Sequence, residues 1–236
     1  MTIVSESVRG GPKKVIPALE AGDHLDQKTF HERYEAMPPE FRAELIGGVV
    51  VVPSPLKRPH SLHHVPVILW LGEYSLATPG TELHDGATLI LGPDSEPQPD
   101  ASLIIRPDWG GQTRISEDDC VAGPPELIVE VASSSQAYDM YEKYKEYERA
   151  GVSEYLVVLV REHQIRWFFL AHGTYCELSR RGSGEYESQV FPGLRLDVEA
   201  FLRLETTKVV QTLREGLSSP EHARFVEALG QRRHPS

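Results

Sequence analysis

Apolar residues in this chain come in short, punctuated runs, and their spacing separates strands from helices. Residues 1–24 mix Gly, Pro, Ser and charge without a period and read as a mobile leader. Asp26 is a fair N-cap for a short helix with Phe30 and Tyr34 on one face, ended by Pro38-Pro39. Residues 41–46 lead through Gly47-Gly48 into 49–52, a turn followed by a buried strand that Pro53-Ser54-Pro55 stops. From His60 the period turns helical, with Leu62, Val65, Leu69 and Tyr74 along one side and Pro66 in the first turns.

Residues 87–91 and 101–105 read as strands, the second entered from Pro99-Asp100, and 107–124 as a polar loop. Residues 127–132 are too short and too β-branched for a helix, which makes them a central strand. Ser133-Ser134-Ser135 offers caps for a helix over 136–150, closed by Gly151. A strand at 155–160 follows, then a hairpin of 164–170 and 174–178 across His172-Gly173. Residues 191–196 look irregular, and 198–204 and 225–229 look helical. This order predicts an α/β fold: a mixed β-sheet flanked by helices, with an added β-hairpin. The expected division is a leader at 1–24, one domain at 25–200, and a helical or partly disordered tail at 201–236.

Composition narrows the class. At 236 residues, with 40% hydrophobic and 25% charged content, the chain fits one soluble domain with an appendage. No run approaches a membrane span, and the first residues carry no apolar signal core. Two cysteines without metal spacing read as reduced thiols, so a cytoplasmic location is expected. The net charge of -11 leaves no overall basic footprint, so any affinity for DNA is expected to be local, salt-sensitive and weak.

Candidate chemistry sits in residues 99–155. Side chains alternate on a strand, so Glu130 and Ala132 point one way while Val129 and Val131 point the other. A carboxylate on an apolar central strand is costly unless a partner neutralises it. Asp100 stands at the mouth of a second apolar strand; side by side, the two acids would need a cation between them. Magnesium is commonly held by one or two carboxylates with water, and lowers the pKa of a bound water. Asp139, Lys143 and Tyr147 share a helical face, which aims the Lys143 ammonium at the acidic pair, whereas Lys145 points elsewhere.

The order Pro99-Asp100, Glu130-Val131-Ala132, Asp139-x-x-x-Lys143-x-x-x-Tyr147 and Ala150-Gly151-Val152-Ser153-Glu154-Tyr155 resembles the Uma family of putative restriction endonucleases, within the PD-(D/E)XK nuclease superfamily. Glu44 through Val49, and Pro53-Ser54-Pro55 followed by His60, extend the resemblance to about residues 25–200. It implies a restriction-endonuclease-like fold in which Asp100 and Glu130 bind Mg²⁺ (or Mn²⁺) with the Val131 backbone carbonyl. Glu44 would complete the shell, Lys143 would be the catalytic lysine, and His60 and Tyr147 would support the site. The family's plain form places a lysine two residues after the second acid; this chain has Ala132 there.

Each residue also has a plainer reading. Asp100 alone is a turn acid after proline, Glu130 a buried acid paired with an arginine, and Lys143 a solvated residue bonded to Asp139. Glu44 alone is a surface acid near a Gly turn, and His60, His63 and His64 are helix-start and surface residues. Tyr138, Tyr141, Tyr144 and Tyr147 read as packing groups. The leading expectation is metal-dependent phosphodiester hydrolysis by a DNA endonuclease with metal-activated water. The alternatives are an inactive partner-binding module, which Ala132 and the acidic balance favour, and a hydrolase of a smaller phosphodiester. Cutting both strands of a duplex calls for two sites, which points to a homodimer.

Overall fold

The computed structural model describes residues 16–133 and 138–233. The first fifteen residues of the expected leader lie outside the described residues, as do Ser134 and Ser135 of the expected cap and the first two residues of the helix expected to follow. Helix α1 (Gln27–Glu35) starts where Asp26 accepts from the Thr29 N–H at 2.7 Å. Strands β1 (Glu44–Ile46) and β2 (Val49–Val51) form a hairpin across Gly47-Gly48, whose positive φ values of 57° and 80° suit glycine. Only Val50 of β2 is buried, in a small core with Phe30 and Leu45, so the strand is not buried throughout as expected.

Helix α2 (Arg58–Ala77) precedes β3 (Thr81–Asp85), β4 (Leu89–Ile90) and β5 (Ala101–Ile105). Strands β6 (Arg114–Ile115) and β7 (Val121–Ala122) interrupt the segment expected to be loop; they join β4 in a separate three-stranded sheet. After β8 (Leu127–Ala132), a π-helical turn over Asp139–Lys143 runs into α3 (Tyr144–Ala150). Strands β9 (Glu154–Leu159), β10 (Gln164–Ala171) and β11 (Thr174–Glu177) complete the main sheet. Then come β12 (Glu185–Glu187) and β13 (Arg195–Asp197), α4 (Val198–Leu202), α5 (Thr206–Leu217) and α6 (Pro220–Arg232).

The main sheet has six strands in the order β11-β10-β9-β8-β5-β3. Strands β8 and β9 are parallel, the chain between them crossing through α3, and the other pairs are antiparallel. This is the mixed sheet with an added hairpin that the run lengths predicted. One face, carrying Leu127, Val129 and Val131, packs on α2 and the C-terminal helices. The opposite face, carrying Ile128 and Ala132, packs on Tyr147 of α3. Val209, Leu213 and Leu229 of the last two helices are fully buried in the first of these cores.

Helix α2 corrects the expected side. Leu62, Val65 and Leu69 are exposed, while His60, His63, Val67, Trp70, Leu71 and Tyr74 are buried. The helix is apolar nearly all round, so periodicity has two solutions. Burial goes to the aromatic side because its polar tips find acceptors: Trp70 Nε1 donates to the Arg195 carbonyl at 2.8 Å, and the Tyr74 hydroxyl to that of Pro192 at 3.1 Å.

Candidate active site

The site begins with strand register. Strands β5 and β8 pair Ala101 with Val129, so Asp100 and Glu130 follow on the same side, opposite one another. The Asp100 N–H points at Glu130 Oε2 across 3.4 Å, and Asp100 Oδ2 accepts from the Val131 N–H at 2.7 Å. Pro99, which continued register would set against Val131, has no N–H to offer. The ladder therefore ends at the Ala101–Val129 pair, and the Val131 carbonyl receives no N–H from Pro99.

The lysine arrives from the helix. The π-helical turn buries both Asp139 and Lys143, whereas Lys145 is exposed. Such turns are frequent at functional sites. Lys143 Nζ lies 2.8 Å from Glu130 Oε1, 2.9 Å from Glu44 Oε1 and 4.0 Å from Asp139 Oδ1. The Tyr147 hydroxyl donates to the same Glu130 oxygen at 2.8 Å. Glu44, on β1, also accepts from the Gln98 N–H at 2.8 Å, which ties the hairpin to the strand entering the site. Thus Glu44, Asp100, Glu130, Lys143 and Tyr147 come together, with Asp139 beside them. Glu130 has a lysine and a tyrosine, not an arginine, for partners. Lys143 is no solvated residue, and Glu44 is no surface acid.

His60 reaches the cluster from α2. Its Nε2 lies 2.9 Å from Asp100 Oδ1, and since a carboxylate only accepts, that nitrogen carries the proton. His63 turns the other way, onto Phe201, and hydrogen-bonds the Pro59 carbonyl through Nδ1. Both are buried rather than on the surface as expected; His64, half-buried, contacts the Asp100 carbonyl and Asp85. Their nearest acidic neighbours are remote in sequence, so spacing alone gave no sign of them.

Three buried carboxylates, Glu130, Glu44 and Asp139, thus surround one buried ammonium, with the half-buried Asp100 next to Glu130. Burial works against the charge on Lys143, but Glu130, Glu44 and Asp139 outweigh it and hold the ammonium protonated. Burial pushes Glu130 well above the carboxylate range; Lys143 opposes this, while Asp100, Asp139 and Glu44 add repulsion. Burial also pushes Asp100 upward, yet the hydrogen bond and charge of His60, then the Val131 N–H and Lys143, bring it below its ordinary value.

This donor set suits a hard divalent cation: carboxylate oxygens, a strand-end carbonyl and a surplus of negative charge. Among the described residues, no three His, Cys, Asp or Glu side chains form a ready cation cage. Asp100 and Glu130 alone match magnesium's habit of taking one or two carboxylates and water. Tyr138 adds an observation absent from the sequence reading. Its buried hydroxyl has no hydrogen-bond partner among the described residues and lies in the field of Glu44, Lys143, Asp139 and Glu130.

A family model described as "Putative restriction endonuclease" matches residues 29–199. Among solved structures, a chain from Anabaena variabilis described as a putative nuclease belonging to DUF820 is similar, with a TM-score of 0.57 and 12% identity. The match covers 73% of this chain and 97% of that one, and at such identity it speaks for the fold. A comparison with curated proteins finds no match. Among the described residues, no helix is long and apolar enough to cross a membrane.

Proposed function

Since the chain belongs to the Uma2 family, described as putative restriction endonucleases, we propose that it is a metal-dependent phosphodiesterase acting as a DNA endonuclease. The observation that carries this reading is the Lys143 ammonium held between Glu130 and Glu44, beside Asp100. It supports relocation of the catalytic lysine to the helix, since Ala132 occupies its plain position on the strand.

Asp100 and Glu130 would hold Mg²⁺ or Mn²⁺, with the Val131 carbonyl and Glu44 as further donors. Such an ion, when bound, supplies charge stabilisation at a phosphate oxygen and a lowered pKa for water. The chain's own groups do the rest. Lys143, kept charged by its acidic neighbours, offsets the negative charge that builds on the phosphate in the transition state. Tyr147 fixes one oxygen of Glu130, and His60 fixes one oxygen of Asp100, so both acids keep their orientation. The Tyr138 hydroxyl, without a partner among the described residues, offers a donor to a phosphate oxygen or a water at the cluster's edge.

The net charge of -11 favours a second reading, hydrolysis of a smaller phosphodiester that needs no basic groove. Nicking of plasmid DNA with Mg²⁺ or Mn²⁺ is compared with cleavage of a small chromogenic diester, for the native chain and Asp100→Ala. Plasmid cleavage lost in the variant supports the endonuclease; cleavage of the small diester alone supports the second reading. Equal activity in the variant rejects the site. No activity and no divalent-ion affinity would leave a partner-binding module on a nuclease fold.

A further inference from the structure

The outer face of α2 has a pattern that the hydrolytic reading does not use. Leu62, Val65, Leu69 and Leu76 are 38%, 55%, 51% and 90% exposed, and with the half-buried Gly72 they follow steps of three, four, three and four. That alternation is the seam of two packed helices, and from Leu62 to Leu76 it runs about 21 Å along the axis. A helix with apolar residues on both sides is ordinarily covered on both. Here the inner side meets the sheet and the C-terminal helices, Gly72 stands beside Leu83 of β3, and Leu62, Val65, Leu69 and Leu76 meet solvent. A row of exposed apolar side chains of this kind marks an interaction surface.

We propose that this seam packs against α2 of a second copy of the chain, antiparallel, across a two-fold axis near Leu69. Three observations single out that occupant. A 3-4 seam is self-complementary, which an isologous two-fold contact requires. Its flanks, Ser61, Pro66, Ile68 and Ser75, are uncharged, and the one acid there, Glu73, is already paired with Arg214. Two copies therefore meet without like-charge repulsion.

The helix ends supply the direction. Lys57 and Arg58 stand at the N-terminus, where the helix dipole disfavours cations, and the first turn holds no acid. The last turn has no basic residue to meet the negative end of the dipole, although its Ser75 carbonyl accepts from the Thr78 N–H. An antiparallel partner corrects both faults, setting the basic start of each helix beside the carbonyl end of the other. Leu62 of one copy then meets Leu76 of the other. Leu69 lies half a turn from His60, so the contact leaves the acidic cluster untouched and does not depend on what that cluster does.

Sedimentation equilibrium on the full chain, from about 1 to about 100 μM, reads the association directly. The expected result is a monomer–dimer equilibrium that Leu69→Glu weakens roughly tenfold or more, with an unchanged circular dichroism spectrum. Leu62→Glu and Leu76→Lys, each weakened alone, recover a heterodimer when mixed, because the antiparallel arrangement sets one charge against the other. That recovery also excludes misfolding as the cause of loss. A native chain monomeric throughout means that another partner covers the seam, and it overturns the proposal. So does a dimer indifferent to Leu69→Glu, or failure of the mixed pair to associate.

Discussion

Asp100 and Glu130 hold each other through the main chain: the Asp100 N–H points at Glu130 Oε2, and Asp100 Oδ2 takes the N–H of Val131, the residue after Glu130. Asp100 stands one residue before β5 and Glu130 lies on β8, so their spacing follows from the β5–β8 ladder, and groups tied to strands are held more firmly than groups on loops. Two acids fixed this way cannot separate to relieve repulsion. The relief comes from Lys143 or from a bound cation.

Asp100→Asn keeps the side chain's size but removes its charge and one of its acceptor oxygens. Nicking activity should fall about 100-fold or more, on the scale of losing one preorganised electrostatic contact. Isothermal titration should show weakened Mg²⁺ affinity, with an unaltered circular dichroism spectrum. A fully active Asn variant would remove Asp100 from the site.

Lys143→Met leaves Glu130 and Glu44 buried without their cation. Breaking a buried pair from one side costs about 3–5 kcal/mol, measured by urea unfolding. Adding Glu130→Gln should return part of that loss, since the uncompensated charge is then gone. If the double variant is less stable than the sum of the two single ones, the pairing energy has been misassigned.

His60→Ala frees Asp100 Oδ1 while every group proposed to meet the substrate stays in place. Orienting partners of metal ligands typically matter by about 10–100-fold in affinity or activity. Mg²⁺ titration of the variant should show a loss in that range. His63→Ala, whose ring packs on Phe201, should affect stability and leave Mg²⁺ affinity alone.

Glu154 gives a pH dependence away from the site. Burial raises its pKa from 4.5 to about 7, against hydrogen bonds from Ser188 and from the N–H groups of Gln189 and Val190. The folded chain keeps this proton up to about pH 7, whereas the unfolded chain releases it near 4.5. Folding is thus favoured below that window and loses stability as pH rises through it, by on the order of 3 kcal/mol. Unfolding free energies from pH 5 to 8 should decline less in Glu154→Gln than in the native chain. An identical decline would show that another group is responsible.

Much of the architecture was legible because it is local. Alternation put Glu130 on the face opposite Val129 and Val131, and the burial of Tyr147 and Lys143 follows their four-residue spacing. The hairpins at Gly47-Gly48 and His172-Gly173 were visible as turn chemistry. The edge strand β3 was missed: Thr81–Asp85 has one buried-looking residue in five, and it is recognisable only through its pairing with β5. The short strands in 107–124 were missed for the same reason, each being two residues long.

Run length, parity and turn residues therefore determined the main sheet apart from its edge strand β3, the crossover helix and the side on which each acid emerges, because these depend on neighbours within a few positions. Tertiary structure alone decided which flank of α2 is covered, since an evenly apolar helix has no local preference. It also decided that Lys143 sits between Glu130 and Glu44 and that His60 meets Asp100. Those contacts join segments far apart in the chain, and no period in a sequence encodes which distant partner will close the distance.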